Sequence, residues 1–143
     1  MSSINYKRVA MGPAAGGVVW LIWEFVWTLI WVSLFFDRPE EAMKMTTEPR
    51  YGAGSHYAVW FPTMFLLSGT VAWLYAAVRS TLGQGPKTAF LIGCSVGFAA
   101  GFPANFFTAN WLDVNRLIPL HWTVDLWVGC ILAALVAGWL YKE

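Results

Sequence analysis

Charge is what this chain has least of. Only 12% of its 143 residues are charged, against roughly 25% in an ordinary soluble domain. Lys and Arg number nine, Asp and Glu eight, and no segment gathers cations into a patch. Attraction to DNA or RNA needs clustered cations, so nucleic acid is excluded as a partner. Cysteine and histidine are as scarce, with two of each. Cys94 and Cys130 form no CxxC, zinc or haem-attachment spacing and read as small apolar helix residues. His56 lies in a loop, so paired imidazoles for a haem within the membrane are missing. Zinc and di-iron sites need more ligands than His121, Asp125 and Glu24 supply in any recognised spacing. No GxSxG, HExxH, Walker or Rossmann pattern occurs. The sequence thus requires no metal and no cofactor, and it offers no catalytic residue.

Apolar bulk is what fills the chain. Hydrophobic residues make up 58%, aromatics 17%, and ten residues are Trp. A soluble domain of this size leaves much of its surface in water, which so few charges could not cover. The composition belongs in lipid. Four apolar runs stand out, at 12–36, 58–78, 88–108 and 117–140. Each is near or above the roughly 20 residues that a helix needs to cross a hydrocarbon core. In lipid the backbone must satisfy its own polar groups, so each run is expected to be helical. The same rule tolerates Pro62, Gly69 and Pro103 within them, with Pro103 marking the place for a kink. The first run is too long for a signal peptide's apolar region and lacks a cleavage site. The fold class is therefore an all-α membrane protein: a four-transmembrane-helix bundle forming one integral membrane domain over 1–143.

The connections set the topology. The segment 37–57 is the one substantial loop and holds most of the charge. Its middle, 39–45, suits a short interfacial helix with Pro39 at its first position. The links 79–87 and 109–116 are short, which makes sequential helices antiparallel neighbours. The side of the termini carries Lys7, Arg8, Arg79, Lys87 and Lys142; the other carries Arg38, Lys44, Arg50 and Arg116. The excess of cations assigns the termini to the cytoplasm.

Helix faces carry the next signal. Gly12, Gly16, Trp20 and Glu24 recur at steps of four in the first run, and Gly93, Gly97, Gly101 and Asn105 do so in the third. Trp73-Leu74-Tyr75 closes the second run as Trp139-Leu140-Tyr141 closes the fourth. This pattern is consistent with two helical hairpins in a parallel repeat. Small residues at steps of four let helices approach closely, so Gly93, Gly97, Gly101 and Gly129 are expected packing positions.

Fifteen of the seventeen Asp, Glu, Lys and Arg residues fall in tails, loops or at helix ends; Glu24 and Asp125 are the exceptions. Glu24 lies close to the bilayer midplane, and an acid there faces the bundle interior or water. It is either a proton or cation site or a carboxyl that hydrogen-bonds a neighbouring helix. Asp125 forms an i, i+4 pair with His121, on a stripe that continues through Gly129, Ala133 and Ala137. That pair faces protein, unless it lies at the interface among water and headgroups. Glu24, Asn105, His121 and Asp125 are expected to converge on one polar pocket in the outer half of the bundle, with Asn105 hydrogen-bonding Asp125 or His121. Trp20, Trp27 and Trp31 share the face of Glu24. Indole faces attract cations and indole N–H groups can hydrogen-bond a carboxylate, so the stripe suits a cation, quinone or pigment, or else plain aromatic packing.

Two stretches carry a resemblance. Trp73-Leu74-Tyr75-Ala76-Ala77-Val78-Arg79 precedes Gly83-Gln84-Gly85-Pro86-Lys87-Thr88-Ala89, and the chain closes on Gly138-Trp139-Leu140-Tyr141-Lys142-Glu143. These segments, with Lys7-Arg8-Val9, Gly16-Gly17-Val18-Val19 and Glu24-Phe25, resemble a family of uncharacterised small bacterial four-helix integral membrane proteins. The resemblance covers most of the chain and is weakest in the central loop and the third run. It implies a bacterial inner-membrane location and an acid in the first and fourth helices, the places of Glu24 and Asp125. It brings no activity.

The leading expectation is a proton- or cation-linked transporter or channel-like protein, working in the lipid bilayer as a homo-oligomer. Glu24 would bind the ion, with Asp125, His121 and Asn105 lining its route. The alternative is an accessory or scaffold subunit of a larger membrane complex, holding a lipid, quinone or pigment against its tryptophans. A membrane enzyme ranks third, because no nucleophile–base pair is visible.

Overall fold

The computed structural model describes residues 6–37, 53–113 and 115–141, and it is a four-helix membrane bundle. The helices are α1 (Tyr6–Phe35), α2 (Ala53–Leu82), α3 (Pro86–Trp111) and α4 (Leu117–Leu140). Among the described residues there is no strand, and all four helices are long and apolar enough to cross a membrane. The first three extend beyond the apolar runs that announce them, by up to six residues at the start of α1. Hydropathy marks the part of a helix that sits in hydrocarbon. Backbone hydrogen bonding carries the helix on through the interface. α1, α2 and α3 stay helical through Pro13, Pro62 and Pro103. The expected interfacial helix at 39–45 lies outside the described residues.

α4 is the centre of the bundle. It packs against each of the other three helices, and its contact with α3 is the most extensive in the protein. α1 packs on α4 and α2 and lies diagonally opposite α3. α4 is accordingly the most buried helix and α1 the least. The free face of α1, including Val18, Ile22, Phe25, Leu29 and Leu34, is exposed and suits lipid.

Small residues decide how the helices meet. The stripe of α3 lies flat on α4. A Cβ added at Gly93 would come 2.6 Å from Ile131 Cα, one at Gly97 2.8 Å from Trp127 Cα, and one at Gly101 3.1 Å from the Thr123 carbonyl oxygen. Such close approach is what small-xxx-small packing provides. α1 uses a second face of α4. Gly12 meets Ala137, Gly16 meets Ala133, and the Trp20 indole covers Gly129. Each step of four up α1 matches a step of four down α4, which is the register of an antiparallel pair. Gly93, Gly97 and Gly101 of α3 thus lie against the α4 backbone, and Gly129 lies beneath Trp20.

The end of the bundle that carries the α2–α3 turn is closed by polar and aromatic groups. Gly83 and Gly85 take positive φ values of 89° and 137°, a region open to glycine at little cost. The Thr88 hydroxyl donates to the Gly83 carbonyl at 2.8 Å, and the Tyr75 hydroxyl accepts the Gly85 N–H at 3.2 Å. Arg79 is buried, with its guanidinium 4.2 Å from the centroid of the Tyr141 ring and its Nη1 3.4 Å from the Tyr141 carbonyl oxygen. Tyr75 and Tyr141, which close the two similar segments, meet edge to face with centroids 6.4 Å apart. A cavity of about 240 Å³ opens beside them, between Tyr75, Pro86, Leu135 and Trp139.

Candidate functional site

The register of α1 on α4 puts the two intramembrane acids together. One turn beyond the Trp20–Gly129 contact the matched positions are Glu24 and Asp125, and one turn further they are Thr28 and His121. Asp125 is wholly buried. The Trp20 indole N–H lies 3.2 Å from both Asp125 Oδ1 and Oδ2. The Glu24 carboxyl adjoins that of Asp125 and interacts with it directly. The Thr28 hydroxyl donates to Glu24 Oε1 at 3.5 Å and stands 3.4 Å from His121 Nε2. Glu24 Oε2 is buried and has no hydrogen-bond partner among the described residues.

Tryptophans wall the cluster. Trp23 stacks on Trp27 with centroids 5.6 Å apart and planes 11° from parallel, and Trp27 and Trp31 follow at 5.5 Å. The His121 ring lies against two of them, stacked on Trp27 at 6.0 Å and edge-on to Trp31 at 5.5 Å. The Trp27 indole also donates to the His121 backbone carbonyl at 3.2 Å. Trp20, Trp27 and Trp31 thus make protein contacts with the acid pair and with His121. Met64 and Trp60 of α2 pack with Trp20 in the adjoining core.

Glu24, His121 and Asp125 come together as expected. Asp125 and His121 are buried among helices, and the reading that left them among headgroups is set aside. Asn105 is also buried, but its amide nitrogen has no hydrogen-bond partner among the described residues. The stripe it continues faces Thr123, Trp127 and Cys130, a different side of α4 from the one that carries Asp125 and His121. The expected bond from Asn105 to either residue is therefore absent. α4 is a helix, and residues that are close in sequence project from it in different directions. The cysteines pack as small apolar residues: Cys130 in the core, and Cys94 accepting the Trp127 indole N–H at its carbonyl oxygen, 3.2 Å away.

Thr28 is the participant that sequence reasoning missed. It had a signal available, since i+4 from Glu24 is the next position on the same face. Trp23, which flanks that face in the sequence, joins by stacking on Trp27.

Among the described residues, no group of three or more His, Cys, Asp or Glu side chains is arranged to hold a metal ion. What the cluster offers is an excess of acceptors. Four carboxyl oxygens and an imidazole nitrogen face one indole N–H and one hydroxyl. Comparison with known protein families, with characterised proteins and with solved structures finds no match to the chain.

Proposed function

We propose that this protein is a small proton- or cation-linked transporter or channel-like protein whose ion site is the Glu24–Asp125 pair. The observation that carries the reading is the contact of two carboxyl groups inside a membrane-spanning bundle, with a buried Glu24 oxygen left without a donor. A charged acid in hydrocarbon costs about 2.5–3.5 kcal/mol even on the lenient scales. Two adjoining carboxylates also repel each other. A proton or a cation held between them relieves both costs, and a site that binds such an ion within the membrane is the core of a pathway.

The site is lopsided. Toward the α3–α4 link it continues through Thr28 and His121. Toward the termini it is closed by Trp20, whose indole holds Asp125 and fills the space over Gly129. Passage to the terminal side requires Trp20 to let go of Asp125. On the cation count the terminal side is cytoplasmic, in a bacterial inner membrane, and His121 stands on the outward side of the acid pair. A homo-oligomer would supply the enclosure that four helices scarcely provide.

The test is ion uptake by the purified protein in lipid vesicles. Wild type is expected to move protons or an alkali cation down an imposed gradient, and Glu24→Gln and Asp125→Asn are each expected to abolish it. Wild-type vesicles that move none of these ions, or the same flux in both variants, would refute the proposal.

A further inference from the structure

Resting on that reading, we infer that the ion is the proton itself, and that it reaches the acid pair through Thr28 from His121. Three observations carry this. First, the three titratable side chains that meet in the cluster, Glu24, His121 and Asp125, all exchange protons, and the adjoining core is filled by Trp20 and Met64. A bare proton needs no coordination shell. Second, the hydrogen bonds form a directed line: His121 Nε2 lies 3.4 Å from the Thr28 hydroxyl, and that hydroxyl donates to Glu24 Oε1 at 3.5 Å. Third, aromatic contacts hold the His121 ring in line: it lies on the face of Trp27 and against the edge of Trp31.

The step balances without any co-reactant. The His121 imidazolium gives its Nε2 proton to Thr28 Oγ1 as the Thr28 hydroxyl gives its own proton to Glu24 Oε1. His121 becomes neutral, with its proton on Nδ1. Glu24 becomes a carboxylic acid that can donate to Asp125, and Thr28 is unchanged. Rotation of the hydroxyl resets the line. The other titratable group beside the pair is the Cys130 thiol near Asp125, on α4. α2 offers the uncharged Met64 and Trp60 there, and the stripe of α3 that ends in Asn105 faces another side of α4. His121 is therefore the one described base in line with the acids on the side away from Trp20.

Thr28→Val keeps the shape and removes the relaying hydroxyl; Thr28→Ser restores it. The proteins are reconstituted into phosphatidylcholine–phosphatidylglycerol vesicles, and a potassium diffusion potential drives influx. A trapped pH dye reads protons, and radioactive sodium and rubidium read alkali cations. Wild type is expected to carry protons and neither metal. Thr28→Val is expected to slow proton influx at least about tenfold, as loss of a proton-transfer group does. Thr28→Ser is expected to stay within about twofold of wild type. Thermal unfolding of each variant guards against simple misfolding. Proton influx undiminished in a folded Thr28→Val protein, with Glu24→Gln still inactive, would overturn the relay and leave the acid pair as the site. Sodium or rubidium influx that Thr28→Val does not affect would do the same. Failure of the wild type to carry any of these ions overturns both readings.

Discussion

Gly129→Ala puts the least possible bulk at the point where packing and chemistry meet. The added Cβ would fall inside the Trp20 indole, against Cε2 and Nε1. The indole cannot stay, and the N–H it aims at Asp125 from 3.2 Å leaves with it. Three effects set the magnitude. Ala in place of Gly within a helix gains about 1 kcal/mol. Overfilling a packed interior costs about 1–3 kcal/mol. A lost hydrogen bond to a charged or proton-sharing carboxyl costs about 1.5–3 kcal/mol. The net is a destabilisation of about 1.5–5 kcal/mol. Thermal unfolding in detergent, followed by tryptophan fluorescence, measures it. The decisive comparison is a double-mutant cycle. In a Trp20→Leu background neither the clash nor the indole bond exists, so the same Gly129→Ala change should be neutral or stabilising by up to about 1 kcal/mol. A Gly129→Ala protein as stable as wild type, or one equally damaged with and without Trp20, would refute the register of α1 on α4 from which the ion site is built.

Along α3 the glycines predict a gradient. Added Cβ atoms approach α4 to 2.6 Å at Gly93, 2.8 Å at Gly97 and 3.1 Å at Gly101, so Gly93→Ala should cost about 2 kcal/mol and Gly101→Ala almost nothing. Unfolding midpoints in any other order would contradict the α3–α4 interface. At the other end of the bundle, Arg79→Lys keeps the charge but loses the planar group that stacks on Tyr141. It should destabilise by about 1 kcal/mol. Tyr75→Phe removes the acceptor of the Gly85 N–H and should cost a similar amount, about 1 kcal/mol. Unchanged melting in both variants would mean that this cluster does not hold the turn.

Element existence was legible in the sequence because lipid leaves a chain few choices. Four apolar runs of sufficient length can only be helices, and four helices are what the described residues form. The ends were less legible, since α1 begins at Tyr6 and α2 at Ala53, where hydropathy has already faded. Within the site, Glu24, Asp125 and His121 were readable because an acid in hydrocarbon is expensive and steps of four share a helix face. The partners of those residues were not. Asn105 continues a genuine stripe, yet that stripe serves the α3 side of α4, and no periodicity within α3 reveals which side of α4 it meets. The tryptophan stripe suited a ligand or plain packing, and an indole N–H could bond a carboxylate, but which indole met which acid was not readable: Trp20 holds Asp125. A hydrogen bond between residues 105 positions apart depends on the register between two helices, which neither helix encodes alone.

That register also explains why the acids sit among glycines. Asp125 lies on the stripe that continues through Gly129, Ala133 and Ala137, and Glu24 on the stripe that begins with Gly12 and Gly16. Small residues draw the lower turns of α1 and α4 together. Past Trp20 the stripes exchange small side chains for polar ones, while the closeness set below is kept. Close approach forces the two carboxyls into contact, instead of letting each swing out toward water at the interface. Trp20, the residue at the change-over, is large enough to cover Gly129 and polar enough to hold Asp125. The packing of α1 on α4 and the pairing of the acids are therefore consequences of one stripe.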